Sequence, residues 1–114
     1  MIRIGVDMMG GDYAPLEAIK GVESFLEEKH DNIHLVLIGN ETIIKDQLAR
    51  LKISEQDYTI VHAPEVIEMH EHPTKALKEK KGSSIAIGFH LLATGETDAF
   101  ISAGNTGAMM VGSI

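Results

Sequence analysis

The chain has 114 residues, 44% of them hydrophobic and 24% charged, with a net charge of −7 and no cysteine. That length fits one domain at most, the composition is that of a folded chain, and the acidic balance argues against a nucleic-acid partner. Without cysteine, a disulfide framework, a thiolate metal site and a cysteine nucleophile are all excluded.

The opening residues hold only a short apolar run broken by Asp7, so no secretory signal is expected. No run reaches the ~18 apolar residues of a membrane span. Ile2 to Met8 is apolar and rich in β-branched residues, as in a buried parallel strand, and Gly10-Gly11-Asp12 turns the chain. Pro15 suits the first turn of a helix that runs to about His30, with Leu16, Ile19, Val22, Phe25 and Leu26 at helical spacing. Gly21 inside that helix costs ~1 kcal/mol against alanine, which points to close packing there.

His34 to Ile38 is a second strand, stopped by Gly39-Asn40. A helix from Glu41 to Lys52 places Ile43, Ile44, Leu48 and Leu51 on one face. Tyr58 to His62 is a third strand, broken by Pro64, and Pro73 opens a basic helix to Lys81. After Gly82, Ser83 or Ser84 caps a helix whose core face is Ile85, Phe89 and Leu92, and Gly95 ends it. Asp98 to Ser102 is a fourth strand, leading through Ala103-Gly104-Asn105-Thr106-Gly107 into an apolar helix. That last helix shows neither a polar face nor a stop signal. The expectation is therefore the front part of a single domain, with the fold truncated after its fourth strand.

Strands alternating with helices predict an α/β fold, a parallel sheet with helices on both faces in three layers. Ligands in such sheets bind beyond the C-terminal ends of the strands. The residues most distinctive in chemistry lie in those loops. Between Ser102 and Gly107, two glycines allow close backbone approach, and a helix start offers unpaired N–H groups. Ser102, Asn105 and Thr106 add side-chain donors. Together they suit an oxyanion, most simply phosphate. Neither a Walker loop nor a GxGxxG pattern is present.

Asp7 and Asp12 flank Gly10 and Gly11 in the first loop. Two acids there can serve as acid and base, hold a metal, or accept backbone N–H groups. Capping of the following helix is the plainest role for Asp12. The segment from Pro73 to Lys81 holds four of the ten basic residues, so Lys75 and Lys81 are candidate anion contacts. Ser83 and Ser84 extend the same segment. His70 and His72 flank Glu71, but no third ligand stands at metal-site spacing, so no metal is expected.

Three of these segments carry a resemblance. Asp7-Met8-Met9-Gly10-Gly11-Asp12-Tyr13-Ala14-Pro15 resembles the opening motif of the PlsX-type phosphate acyltransferases of bacterial phospholipid synthesis. The stretch from Val66 through Pro73 to Lys80-Lys81-Gly82-Ser83-Ser84-Ile85 resembles their second signature. Asp98 to Ala108 resembles the third, in the same order. Met8 stands where that family usually has alanine, and Gly82 where an acidic or amide residue is common.

The resemblance implies transfer of a fatty acyl group from acyl carrier protein to inorganic phosphate, without a cofactor. A membrane acyltransferase then passes the acyl phosphate to glycerol 3-phosphate. It implies a fold related to phosphotransacetylases, a homodimer, and a cytoplasmic enzyme lying peripherally on the membrane. It makes Asp7, Asp12 and Asn105 the candidate catalytic residues. Phosphate falls to Ser102, Gly104, Asn105, Thr106, Gly107, Lys75 and Lys81, while Gly10, Gly11, Ser83 and Ser84 shape the loops. Two other readings stand beside it: a Rossmann-type nucleotide-binding module, and a folded fragment inactive on its own.

Overall fold

Four parallel strands form the sheet in the computed structural model, which describes residues 1–10, 14–28, 32–51, 58–68, 70–104 and 106–113. They are β1 (Ile2–Asp7), β2 (Ile33–Gly39), β3 (Tyr58–His62) and β4 (Ala99–Ile101), in the order β3-β2-β1-β4. Between them run α1 (Leu16–Glu27), α2 (Glu41–Leu51), α3 (Pro73–Glu79) and α4 (Ser84–Ala93), and α5 (Thr106–Gly112) follows β4. The expected α/β class and parallel sheet are therefore present.

Alternation along β2 divides the core. Leu35 and Leu37 pack with Ile19 and Val22 of α1 and Ile44 and Leu48 of α2. Val36 and Ile38 face the other way, toward Ile87 and Leu91 of α4 and Phe100 of β4. A period of two thus supplies both faces of one strand with apolar side chains, as a doubly covered parallel sheet requires. A third cluster joins Ile67, Ala76, Ile85 and Ala108 beyond α4, with Phe89 set edge-on to Phe100 at 5.2 Å.

Several expectations change in detail. Pro15 is the N-cap of α1 rather than a residue of its first turn, and among the described residues no side chain caps that helix. Asp12, expected as the cap, lies outside the described residues. Leu16, Ile43 and Leu51 are exposed, because Ile19 with Val22 and Ile44 with Leu48 already fill the sheet-facing stripes. On α4, Ile87 and Leu91 join Ile85 in the core where Leu92 was expected. That helix is apolar nearly all round, so periodicity could not select its face. Gly21 is not a point of close packing: a Cβ placed there meets nothing within 4 Å.

β1 connects through α1 to β2 on one side, while β4 lies on its other side. The strand order therefore reverses between β1 and β4. A reversal of this kind splays the connections apart and opens a crevice beyond the strand ends.

Candidate functional site

Asp7 ends β1 and Ser102 directly follows β4, so both stand at the crevice where the order reverses. Asp7 is only 4% exposed. Its Oδ1 accepts from the Met9 amide at 3.0 Å, and its Oδ2 accepts from the Ser102 hydroxyl at 2.7 Å. The same Ser102 oxygen accepts from the Gly104 amide at 2.9 Å. One hydroxyl thus donates to the first loop and accepts from its own. A buried carboxylate needs such donors, and hydrogen bonds to an ionised group are the stronger kind.

Two glycines let the loops meet. A Cβ on Gly10 would lie 2.6 Å from Asp7 Oδ2 and 2.7 Å from the Gly104 nitrogen, too close for any side chain. A Cβ on the buried Gly104 would lie 3.1 Å from Ser102 Oγ and 3.2 Å from Ile85 Cδ1. The requirement at both positions is space.

This arrangement alters one expectation. Ser102 directs its proton to Asp7, and the Gly104 amide is spent on Ser102, so neither donates outward in this state. The buried carboxylate wins because it has no bulk water to turn to. Gly107 lies in α5, which runs for only two turns. Gly11, Asp12 and Asn105 lie outside the described residues, as does the side chain of Thr106.

The basic segment is sorted differently from expectation. Lys75 and Lys81 are exposed, whereas Lys80 turns inward. Its Nζ donates to the Val66 carbonyl at 2.7 Å and to Glu71 Oε2 at 2.8 Å. The Glu68 amide donates to the same Glu71 oxygen at 2.6 Å. Lys80 first, then that amide, hold the Glu71 carboxyl below its ordinary value. Glu65 accepts from the Gly82 amide at 3.1 Å, so the loop after β3 is fastened at both ends of Lys80-Lys81-Gly82. Ser83 and Ser84 are buried, and Ser83 Oγ caps α4 by accepting from the Ala86 amide at 3.1 Å.

His72 is used as a cap, its Nδ1 accepting from the Lys75 amide at 3.4 Å. Among the described residues no group of three or more His, Asp or Glu is placed to hold a metal ion. No helix among them is long and apolar enough to cross a membrane.

Sequence reasoning missed the pairings of Asp7 with Ser102 and of Lys80 with Glu71. A signal existed for the first: a carboxylate and a hydroxyl each close an apolar strand. It becomes readable only when β1 and β4 are known to be neighbours.

The family model described as "Fatty acid synthesis protein" matches residues 2–114. The chain is 52% identical over 113 residues to a phosphate acyltransferase of Thermoanaerobacterium thermosaccharolyticum, covering 99% of this chain and 32% of the relative. It is 50% identical over 109 residues to that of Dictyoglomus turgidum, covering 96% and 32%. To that of Herpetosiphon aurantiacus it is 43% identical over 113 residues, covering 99% and 30%. The chain thus spans about a third of the length of the curated relatives it matches. With a match that takes in both β1 and β4 and the loops they carry to the crevice, this chain belongs to the fatty acid synthesis protein family.

Proposed function

We propose that this chain supplies the acceptor side of a phosphate acyltransferase, and that inorganic phosphate binds in the crevice between β1 and β4. The observation that carries this reading is the junction of Asp7, Ser102, Gly104 and Gly10, which fixes two loops at the reversal of strand order. Relatives 52% and 50% identical to this chain bear the name phosphate acyltransferase.

The acyl donor in this reading is a fatty acyl thioester of acyl carrier protein. A phosphate oxygen attacks the thioester carbonyl, a C–O bond forms, and the C–S bond breaks. Hydrogen phosphate carries one proton, and the departing thiolate takes it up, so products balance as acyl phosphate and thiol. No side-chain base is required by that balance. The protein's work is to hold two anionic partners together and to meet the oxyanion that develops on the carbonyl.

In this account Asp7 and Ser102 are positioning residues that set the turn from Gly104 to Gly107. Asn105 and Thr106 are assigned to phosphate binding, and Asp12, with Asn105, to the candidate catalytic set. Lys75 and Lys81, exposed on and beyond α3, offset anionic charge and offer a basic surface to an acidic carrier protein. We place residues 1–114 as the N-terminal part of one acyltransferase domain that works as a homodimer. It is cytoplasmic and peripheral to the membrane, feeds a membrane glycerol 3-phosphate acyltransferase, and is inactive as the 114-residue chain alone.

Steady-state kinetics of the full-length enzyme test the reading. Asn105→Ala is expected to raise KM for phosphate at least tenfold and leave KM for the acyl donor unchanged. Equal phosphate dependence in both enzymes contradicts it. Stabilisation of the enzyme by a nucleotide but not by phosphate favours the nucleotide-binding alternative.

A further inference from the structure

We propose that Lys80 is a positioning residue for the turn after Ser102. By fastening the loop that follows β3, it fixes the apolar contacts that hold Gly104 and Ala108 in place. The inference deepens the phosphate reading of that turn and rests on it for its kinetic readout alone.

Lys80 joins three segments at once. Its amide donates to the Ala76 carbonyl at 2.8 Å and closes α3. Its carbonyl accepts from the Ser83 amide at 3.1 Å, where α4 is about to start. Its ammonium reaches the loop after β3, at the Val66 carbonyl and at Glu71 Oε2. Glu65 of that loop is tied to the same corner. Its amide donates to the Gly82 carbonyl at 3.1 Å, and its carbonyl accepts from the Ser84 amide at 3.3 Å. Lys75, Lys78 and Lys81 of the same basic segment are exposed.

The loop carries this tie to the turn. Ile67, next to Val66, is buried in one cluster with Ala76 of α3, Ile85 of α4 and Ala108 of α5. Ile85 bears on the entry of the turn, since a Cβ on Gly104 would lie 3.2 Å from its Cδ1. Ala108, fully buried, follows the exit. Both ends of the turn therefore rest on a cluster to which the loop contributes Ile67. Interiors are close-packed, so a shift of Ile67 is passed to Ile85 and Ala108 rather than absorbed. The Lys80 and Glu71 side chains stay 32% and 23% exposed, so the pair adds little to global stability. Its effect is on local order: one ammonium holds a carbonyl and a carboxylate of the same loop in a single arrangement.

The test is hydrogen exchange in the full-length enzyme, read over residues 102–108, for Lys80→Met and Ile44→Val. Ile44 lies in the separate core cluster shared by α1 and α2 and serves as the stability control. Lys80→Met is expected to speed exchange over 102–108 about fivefold or more, because the turn opens locally once Ile67 is released. Ile44→Val is expected to lower the unfolding temperature and leave 102–108 at the parent rate. In steady-state assays Lys80→Met is expected to raise KM for phosphate about threefold or more, with KM for the acyl donor unchanged.

Faster exchange confined to the loop after β3, with 102–108 at the parent rate, overturns the proposal. So does equal acceleration of 102–108 by Ile44→Val, since the effect is then one of global stability. A raised KM for phosphate without faster exchange also overturns it, because Lys80 then meets the anion itself. Faster exchange over 102–108 with an unchanged KM for phosphate supports the positioning role and contradicts the phosphate reading, so the two can fail separately. If Lys80→Met does not fold, Glu71→Gln removes one of the two bonds. It is expected to speed the same segment about twofold, and a parent rate there overturns the proposal.

Discussion

The Ser102 hydroxyl lies 2.7 Å from Oδ2 of Asp7, joining positions 95 residues apart across the one point where the sheet reverses its strand order. Replacing Ser102 with alanine leaves a buried carboxylate oxygen and the Gly104 amide without that partner. The expected cost is about 1–3 kcal/mol of folding stability. Asp7→Asn is expected to cost a similar amount, and the double variant less than the sum of the two, because both remove one bond. Urea unfolding of the four proteins checks this; strict additivity would show that the pair is not coupled.

Two glycines are expected to respond in opposite directions. Gly10→Ala forces a Cβ against Asp7 and Gly104 and is expected to destabilise by about 1–3 kcal/mol. Gly21→Ala in the 114-residue chain meets open space on a helix and is expected to stabilise by about 0.5–1 kcal/mol. Denaturation midpoints of the two variants decide it.

Glu71 provides a pH-dependent contribution. Lys80 and the Glu68 amide favour its ionised form, so the folded state binds the proton less readily than the unfolded state. The stability this supplies is present above the ordinary carboxylate range and is lost as pH falls through the lowered folded value. Glu71→Gln is expected to be less stable than the parent at pH 7, with the difference closing in acid. Glu41, lowered in the same direction by its hydrogen bond to Lys45, leaves some acid dependence in the variant. Urea midpoints of both proteins from pH 7 down to pH 3 measure the difference, and a gap that is constant with pH would refute the role of the pair.

Thr97, in the turn before β4, buries a hydroxyl with no hydrogen-bond partner among the described residues. Thr97→Val keeps the shape and removes that cost, so a gain of about 1 kcal/mol is expected in thermal or urea unfolding.

Strand and helix positions were legible in the sequence because apolar, β-branched runs ended at Gly or Asn or before Pro, and a helical stripe or a Pro at a helix start followed. Tyr58–His62 and the Pro73 start are examples. Faces were legible where a helix is amphipathic, as with Ile44 and Leu48, and illegible on α4, where apolar residues surround the axis. The site was legible only in part. Asp7 and Ser102 each stood out as polar residues ending apolar strands, yet nothing local says that β4 returns to the side of β1. Lys80 was indistinguishable from Lys75 and Lys81 within a basic run. Its inward turn depends on Glu71 and the Val66 carbonyl, which a loop brings back to it. Gly21 was misread because a helical glycine signals either close approach or an open groove, and composition does not separate them.

The central claim, that phosphate binds where β1 and β4 end, is tested most directly by crystals of the full-length enzyme grown in phosphate. The account predicts a tetrahedral anion beside the turn that follows Ser102, within hydrogen-bond distance of residues between Gly104 and Gly107. An anion bound at the ends of β2 or β3, with the turn after Ser102 unoccupied, would contradict it.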